Sequence, residues 1–152
     1  DTIENNIKFY RDNISSQDII EAAKMSNIYD FIETLPEKFS TVIGERGILL
    51  SNGQRQRIVL ARILSKKPDI IILDEATSAL DNETEIFIQK AIENLKGKMT
   101  VIVIAHRLST IVGADKIYAL KDGVVIEEGM PKDLLDNEKS YFYKMYNLSN
   151  IF

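Results

Sequence analysis

The run Ile70-Ile71-Ile72-Leu73-Asp74-Glu75 constrains this chain more than any other segment. Four consecutive large aliphatics without polar alternation read as a strand covered on both faces, as in the parallel sheet of an α/β domain. In such sheets ligands sit just beyond the carboxyl ends of the strands. Two adjacent acids at that edge are costly to bury unless something positive, above all a metal ion, binds beside them. An Asp for a hydrated Mg²⁺ and a Glu to orient or deprotonate a water is the pairing that nucleotide hydrolysis requires. A strand ending in a solvated acidic turn accounts for these six residues equally well, so the neighbouring segments have to decide.

Upstream, Ser51-Asn52-Gly53-Gln54-Arg55-Gln56-Arg57 opens a stretch with helical periodicity to about Lys66. Ser51 is a good N-cap, and Ile58, Leu60, Ala61 and Leu64 give the helix an apolar face. Its free backbone N–H groups and positive dipole end suit an anion, and Gly53 leaves room for a phosphate near the backbone. Downstream, Ala76-Thr77-Ser78-Ala79-Leu80-Asp81 is a small-residue turn into a helix from about Asn82 to Leu95, with Asp81 as its N-cap. A second apolar run, Val101-Ile102-Val103-Ile104-Ala105, ends at His106, the one histidine. If the two strands are parallel, His106 shares an edge with Asp74 and Glu75. A neutral imidazole there can hydrogen-bond a terminal phosphate or an attacking water.

This ordered set resembles the second half of an ABC transporter nucleotide-binding domain of the exporter type. Ser51 to Gln54 match the family's signature motif, and Ile70 to Glu75 match its Walker B strand with the catalytic glutamate. Ser78 to Asp81 match the D-loop, and His106 matches the switch histidine. Asp1 to Ile7 resemble the segment after the family's glutamine-bearing loop. Leu35 to Phe39 and Thr41 to Gly47 resemble the segment of exporters that meets the transmembrane partner, and Lys121 to Pro131 resemble the strand pair and turn near the domain's end.

The resemblance implies an α/β fold: a P-loop NTPase-like parallel-sheet core, of which this is the C-terminal half, with an inserted helical subdomain. The helical part is expected over residues 1–66 and the remaining core over 67–152. ATP and Mg²⁺ are the implied cofactors. Asp74 would hold the metal, Glu75 would polarise the attacking water, and His106 would contact the terminal phosphate. Ser51, Asn52, Gly53 and Gln54 would bind the ATP of a second nucleotide-binding domain in trans, and Asp81 would communicate between the two sites. The transmembrane domains of the exporter are the other implied partners.

One residue departs from the family pattern. Asn52 stands where Gly is usual; Asn tolerates left-handed backbone better than most residues, and its amide can donate to a phosphate. No Gly-x-x-x-x-Gly-Lys-Ser/Thr occurs in the 152 residues, so the phosphate cradle, its lysine and one Mg²⁺ ligand are missing. The expectation is a fragment of a cassette, inactive alone, whose sheet lacks a strand and exposes two edges.

Elsewhere, residues 1 to 15 read as a polar lead-in touching the core at Ile3 and Ile7. Ser15 or Ser16 caps a helix through Met25, and a short helix over Ile28 to Leu35 ends at Pro36. Val124-Val125-Ile126 follows an Asp122-Gly123 hairpin turn. The aromatic and aliphatic stripe from Leu134 to Leu148 is read as core packing of terminal helices.

A net charge of −4 gives no basic footprint for nucleic acid, and Arg55, Arg57 and Arg62 are read as helix-face partners of acids. There are no cysteines, hence no disulfide framework or zinc-thiolate site. No apolar stretch approaches the roughly 20 residues a bilayer span needs. Work at the cytoplasmic face of the cell membrane, through partner domains, is expected. Two other readings stay open at this level. One is a non-transport ATPase of the same superfamily, which the exporter-like Thr41 to Gly47 segment opposes; the other is a non-hydrolysing interaction or regulatory module.

Overall fold

The computed structural model describes residues 1–44, 49–74, 82–104 and 111–149. They divide into two compact units, residues 1–102 and 103–152.

The first unit is built around the helix α4, Asn52–Leu64, which packs against helices α1 (Ile3–Lys8), α2 (Ser16–Met25) and α5 (Asn82–Leu95). Of its buried positions, Gly53, Arg57, Leu60, Ala61 and Leu64 recur at helical spacing as one stripe, which Ile58 widens. Ile3 and Ile7 of α1, Ile19, Ala22 and Ala23 of α2, and Ala91 and Leu95 of α5 meet that stripe in a single core. The polar lead-in expected over residues 1 to 15 thus contains a helix. Thr2 caps it by accepting from the Asn5 N–H, and Ile3 and Ile7, one turn apart, anchor it. Six residues are too few for a periodic signal, but the capping threonine was visible. Before α1, Thr2 forms an antiparallel bridge with Val42, fixed by Ile3 N–H to Thr41 O and Ile43 N–H to Asp1 O.

At α2, Ser15 is the cap, with a reciprocal box to Asp18. Lys67, just past the end of α4, pairs with the same carboxylate at 2.6 Å. Helix α3, Tyr29–Thr34, stops short of Leu35, the residue whose helical conformation Pro36 disfavours.

Strands β1 (Ile70–Asp74) and β2 (Thr100–Ile104) are neighbours in a two-stranded sheet. The Thr100 N–H donates to Asp69 O at 2.9 Å, which brings the starts of the two strands together, so they run parallel. A connection of this kind needs a crossover, which α5 provides. The expectation that β1 and β2 are covered on both faces is not met within the described residues. Ile71 is buried in the core with α4 and α5, whereas Ile70 and Ile72 are 59% and 62% exposed, and Ile102 and Ile104 lie open on β2. The side-chain period of two sends alternate residues to opposite faces. Helices of the first unit pack on the face bearing Ile71, and Ile70 and Ile72 lie on the other.

The second unit starts from the hairpin of β3 (Ile117–Lys121) and β4 (Val124–Gly129). Asp122 and Gly123 both have positive φ, the requirement of a tight two-residue turn matching strand twist. Helices α6 (Pro131–Leu135) and α7 (Tyr141–Ser149) follow. The Glu127 carboxylate on β4 accepts from the Ser140 hydroxyl and from the Tyr141 and Phe142 N–H groups at 2.8 to 2.9 Å. Burial pushes this carboxyl up, but those donors outweigh it and hold it below the usual range. The expected apolar stripe divides: Leu134 and Phe142 join Ile117 in a small core, whereas Tyr141, Met145 and Leu148 are exposed.

Candidate functional site

The candidate residues come from two places, the first turn of α4 and the carboxyl end of β1. Ser51 has extended backbone and caps α4: its Oγ accepts from the Gln54 N–H at 3.2 Å. The Ser51 N–H donates to Gln54 Oε1 at 2.8 Å, completing a capping box. Arg55 N–H closes the first helical bond on Ser51 O. The N–H groups of Asn52 and Gly53 fall within the first turn and have no intrahelical acceptor. Ser51 and Asn52 are exposed, Gln54 is half-buried and Gly53 is buried. A ligand approaching this turn therefore meets Ser51 and Asn52 first.

Asn52 does not use the left-handed freedom that could have explained it: it begins α4 and is not among the described residues with positive φ. Its Oδ1 accepts from the Arg55 guanidinium. An amide whose oxygen is engaged this way presents Nδ2 as its remaining functional end, a pair of donors. Where glycine offers only backbone, Asn52 adds donor capacity on the exposed rim.

All three arginines of this helix donate to backbone carbonyls. Arg55 donates to Leu50 O at 2.7 Å as well as to Asn52. Arg57 is buried and donates to Gly53 O and to Asn27 O. Arg62 donates to the backbone carbonyl and the side-chain oxygen of Asn6, with its guanidinium 4.6 Å from the centre of the Phe9 ring. For Arg62 the expectation of an acidic partner gives way to carbonyl and aromatic ones, because α1 lies across that helix face. Arg57 had a legible signal: 53, 57, 60, 61 and 64 form one stripe, so its spacing alone placed it in the interior.

Asp74 is the last residue of β1, and its side chain is exposed. Because β1 and β2 run parallel, their carboxyl ends lie at the same edge of the sheet. One accessible carboxylate there fits Mg²⁺, which is commonly held by one or two protein carboxylates plus substrate phosphates. Glu75, Ser78 to Asp81 and His106 lie outside the described residues, as do Glu45, Arg46 and Gly47 of the partner-facing segment. Among the described residues no group of three or more His, Cys, Asp or Glu forms a metal cluster. No helix among them is long and apolar enough to cross a membrane.

The sequence pattern of the family described as "ABC transporter" matches residues 1–78. ATP-binding cassette sub-family B member 5 of Mus musculus is 50% identical over 141 residues, covering 93% of this chain and 11% of that protein. An ATP-binding/permease protein of Staphylococcus aureus, named for multidrug export, is 44% identical over 151 residues, 99% of this chain and 26% of its own length. Among solved structures, a bacterial Atm1-family ABC exporter with ATP bound superposes with a TM-score of 0.80 at 42% identity. That match covers 98% of this chain and 26% of the exporter. The chain thus spans about a quarter or less of the length of these relatives.

Proposed function

This chain belongs to the ABC transporter family, and we propose that it supplies one half of an ATP site in an exporter that hydrolyses ATP to move a substrate across a membrane. The observation that carries this reading is the exposed, boxed first turn of α4, with Ser51 and Asn52 on its rim. A helix start with a hydroxyl, an amide and unspent N–H groups is suited to the terminal phosphate of a nucleotide. In the proposal that nucleotide sits on the phosphate loop of a second cassette, so the site is complete only when two cassettes meet.

Ser51, Asn52, Gly53 and Gln54 grip the terminal phosphate in trans, and Asp81 relays between the two sites. Asp74 holds the metal, which when bound neutralises phosphate charge. Glu75 orients the attacking water and accepts its proton, and His106 donates to the terminal phosphate. Closing the turn onto phosphate uses binding energy to move whatever the cassette is attached to. Within the complete cassette, residues 1–66 form the helical subdomain and 67–152 part of the catalytic core. The remainder of that core covers the open face bearing Ile70, Ile72, Ile102 and Ile104. The segment around Thr41 to Gly47 meets transmembrane domains, which places the cassette at the cytoplasmic face of the cell membrane.

The test is Glu75→Gln in the full-length exporter. ATP binding and ATP-driven cassette closure persist while hydrolysis falls by about 10²-fold or more, the scale of general-base removal. Near-normal turnover overturns the role given to Glu75.

A further inference from the structure

Among the described residues Arg57 is the charged side chain buried in the core, with 7% of its surface exposed. It sits in the apolar stripe of α4, where a leucine or methionine would pack with less desolvation. Burying a cation is costly unless its N–H groups find acceptors. Its presence points to position rather than stability. The guanidinium bonds two carbonyls from separate parts of the chain. One N–H donates to Asn27 O at 2.8 Å, at the corner between α2 and α3, and Nε donates to Gly53 O at 3.2 Å.

The peptide unit carrying the Gly53 carbonyl also carries the Gln54 N–H, and that N–H donates to Ser51 Oγ. A peptide unit is planar, so fixing its oxygen fixes the direction of its N–H. Arg57 therefore reaches the Ser51 hydroxyl through one rigid plane while anchored to the α2–α3 corner. We propose that Arg57 is a positioning residue that sets the Ser51 hydroxyl of the phosphate-facing turn by clamping the Gly53–Gln54 peptide to the Asn27 carbonyl. This inference rests on the reading of that turn as phosphate-facing.

The test uses the full-length exporter with Arg57→Lys and Arg57→Met, beside Lys67→Ala as a variant that breaks the ion pair to Asp18 away from the turn. The ATP dependence of hydrolysis and the melting temperature without nucleotide are measured for each. A lysine ammonium is a single point and cannot fork between two carbonyls, whereas methionine fills the stripe without either bond. Both Arg57 variants raise KM for ATP about tenfold, the size of losing one hydrogen bond to a charged group. Lys67→Ala keeps the wild-type KM. A purely structural role lowers the melting temperature and leaves KM unchanged, and that outcome overturns the proposal. If Arg57→Met fails to fold, Arg57→Lys decides by the same criterion. Ser51→Asp measured alongside separates the two levels: if it impairs turnover while both Arg57 variants keep wild-type KM, only the positioning role falls. If Ser51→Asp is also silent, the phosphate-facing reading falls with it.

Discussion

Replacing Ser51 separates its two duties, capping α4 and facing phosphate. Ser51→Ala removes the Oγ that accepts from Gln54 N–H at 3.2 Å, a loss of about 1 kcal/mol for an N-cap of this type. Ser51→Asp keeps an acceptor there, since Asp caps as well as Ser, and its charge suits the positive end of the helix. Stability therefore falls by about 1 kcal/mol in the alanine variant and stays within about 0.5 kcal/mol of wild type in the aspartate variant. Function ranks them the other way. A carboxylate about 4 Å from one phosphate charge, at an effective dielectric of about 20, is repelled by about 4 kcal/mol. Because Ser51 is exposed, screening reduces this to about 2 kcal/mol, or about 30-fold in ATP affinity. Urea unfolding of the 152-residue chain reads the first quantity, and the ATP dependence of hydrolysis by the full-length exporter reads the second. An aspartate variant with wild-type turnover at low ATP refutes the phosphate-facing role. One that unfolds as easily as the alanine variant refutes the capping argument.

Two further outcomes follow from the first unit. Leu64 is fully buried where α4 meets the core, so Leu64→Ala costs about 2–5 kcal/mol; a shift in the urea midpoint equivalent to under 1 kcal/mol contradicts the description of that core. Asp18 is held well below the usual carboxylate range, first by its bond to Lys67 and then by the Ser15 hydroxyl and N–H. A lowered folded-state value means the unfolded chain takes up the proton first. The stabilisation is therefore complete above the ordinary value of 3.8 and drains away as pH falls below it. Asp18→Asn should flatten the urea midpoint between about pH 5 and pH 2 relative to wild type, and an unchanged slope counts against the pair.

Long, well-punctuated elements were legible because cap, periodicity and stop agreed. Ser15 and Ser51 begin α2 and α4, Asn82 to Leu95 is the α5 that the pattern required, and Asp122-Gly123 turns the hairpin. What a run of aliphatics cannot say is what lies over it. Ile70 to Leu73 announce a parallel strand correctly, yet Ile70 and Ile72 lie open because coverage depends on residues elsewhere in space. The carbonyl partners of the arginines are hidden for a related reason. Charge alone points to acids, yet Arg62 bonds the Asn6 carbonyl of α1, and Arg57 bonds the Asn27 carbonyl at the corner between α2 and α3. Of the candidate site, Ser51 to Gln54 and Asp74 stand where motif spacing placed them, at a helix start and a strand end. The left-handed explanation for Asn52 fell because helix geometry claims that position. Its side-chain donor is what distinguishes this turn.

The most direct test of the account is amide hydrogen exchange across residues 51–55 in the full-length Glu75→Gln exporter, with ATP and then with ADP. If the first turn of α4 grips a terminal phosphate, exchange slows markedly with ATP and returns to the nucleotide-free rate with ADP. Equal protection by both nucleotides, or none by ATP, contradicts it.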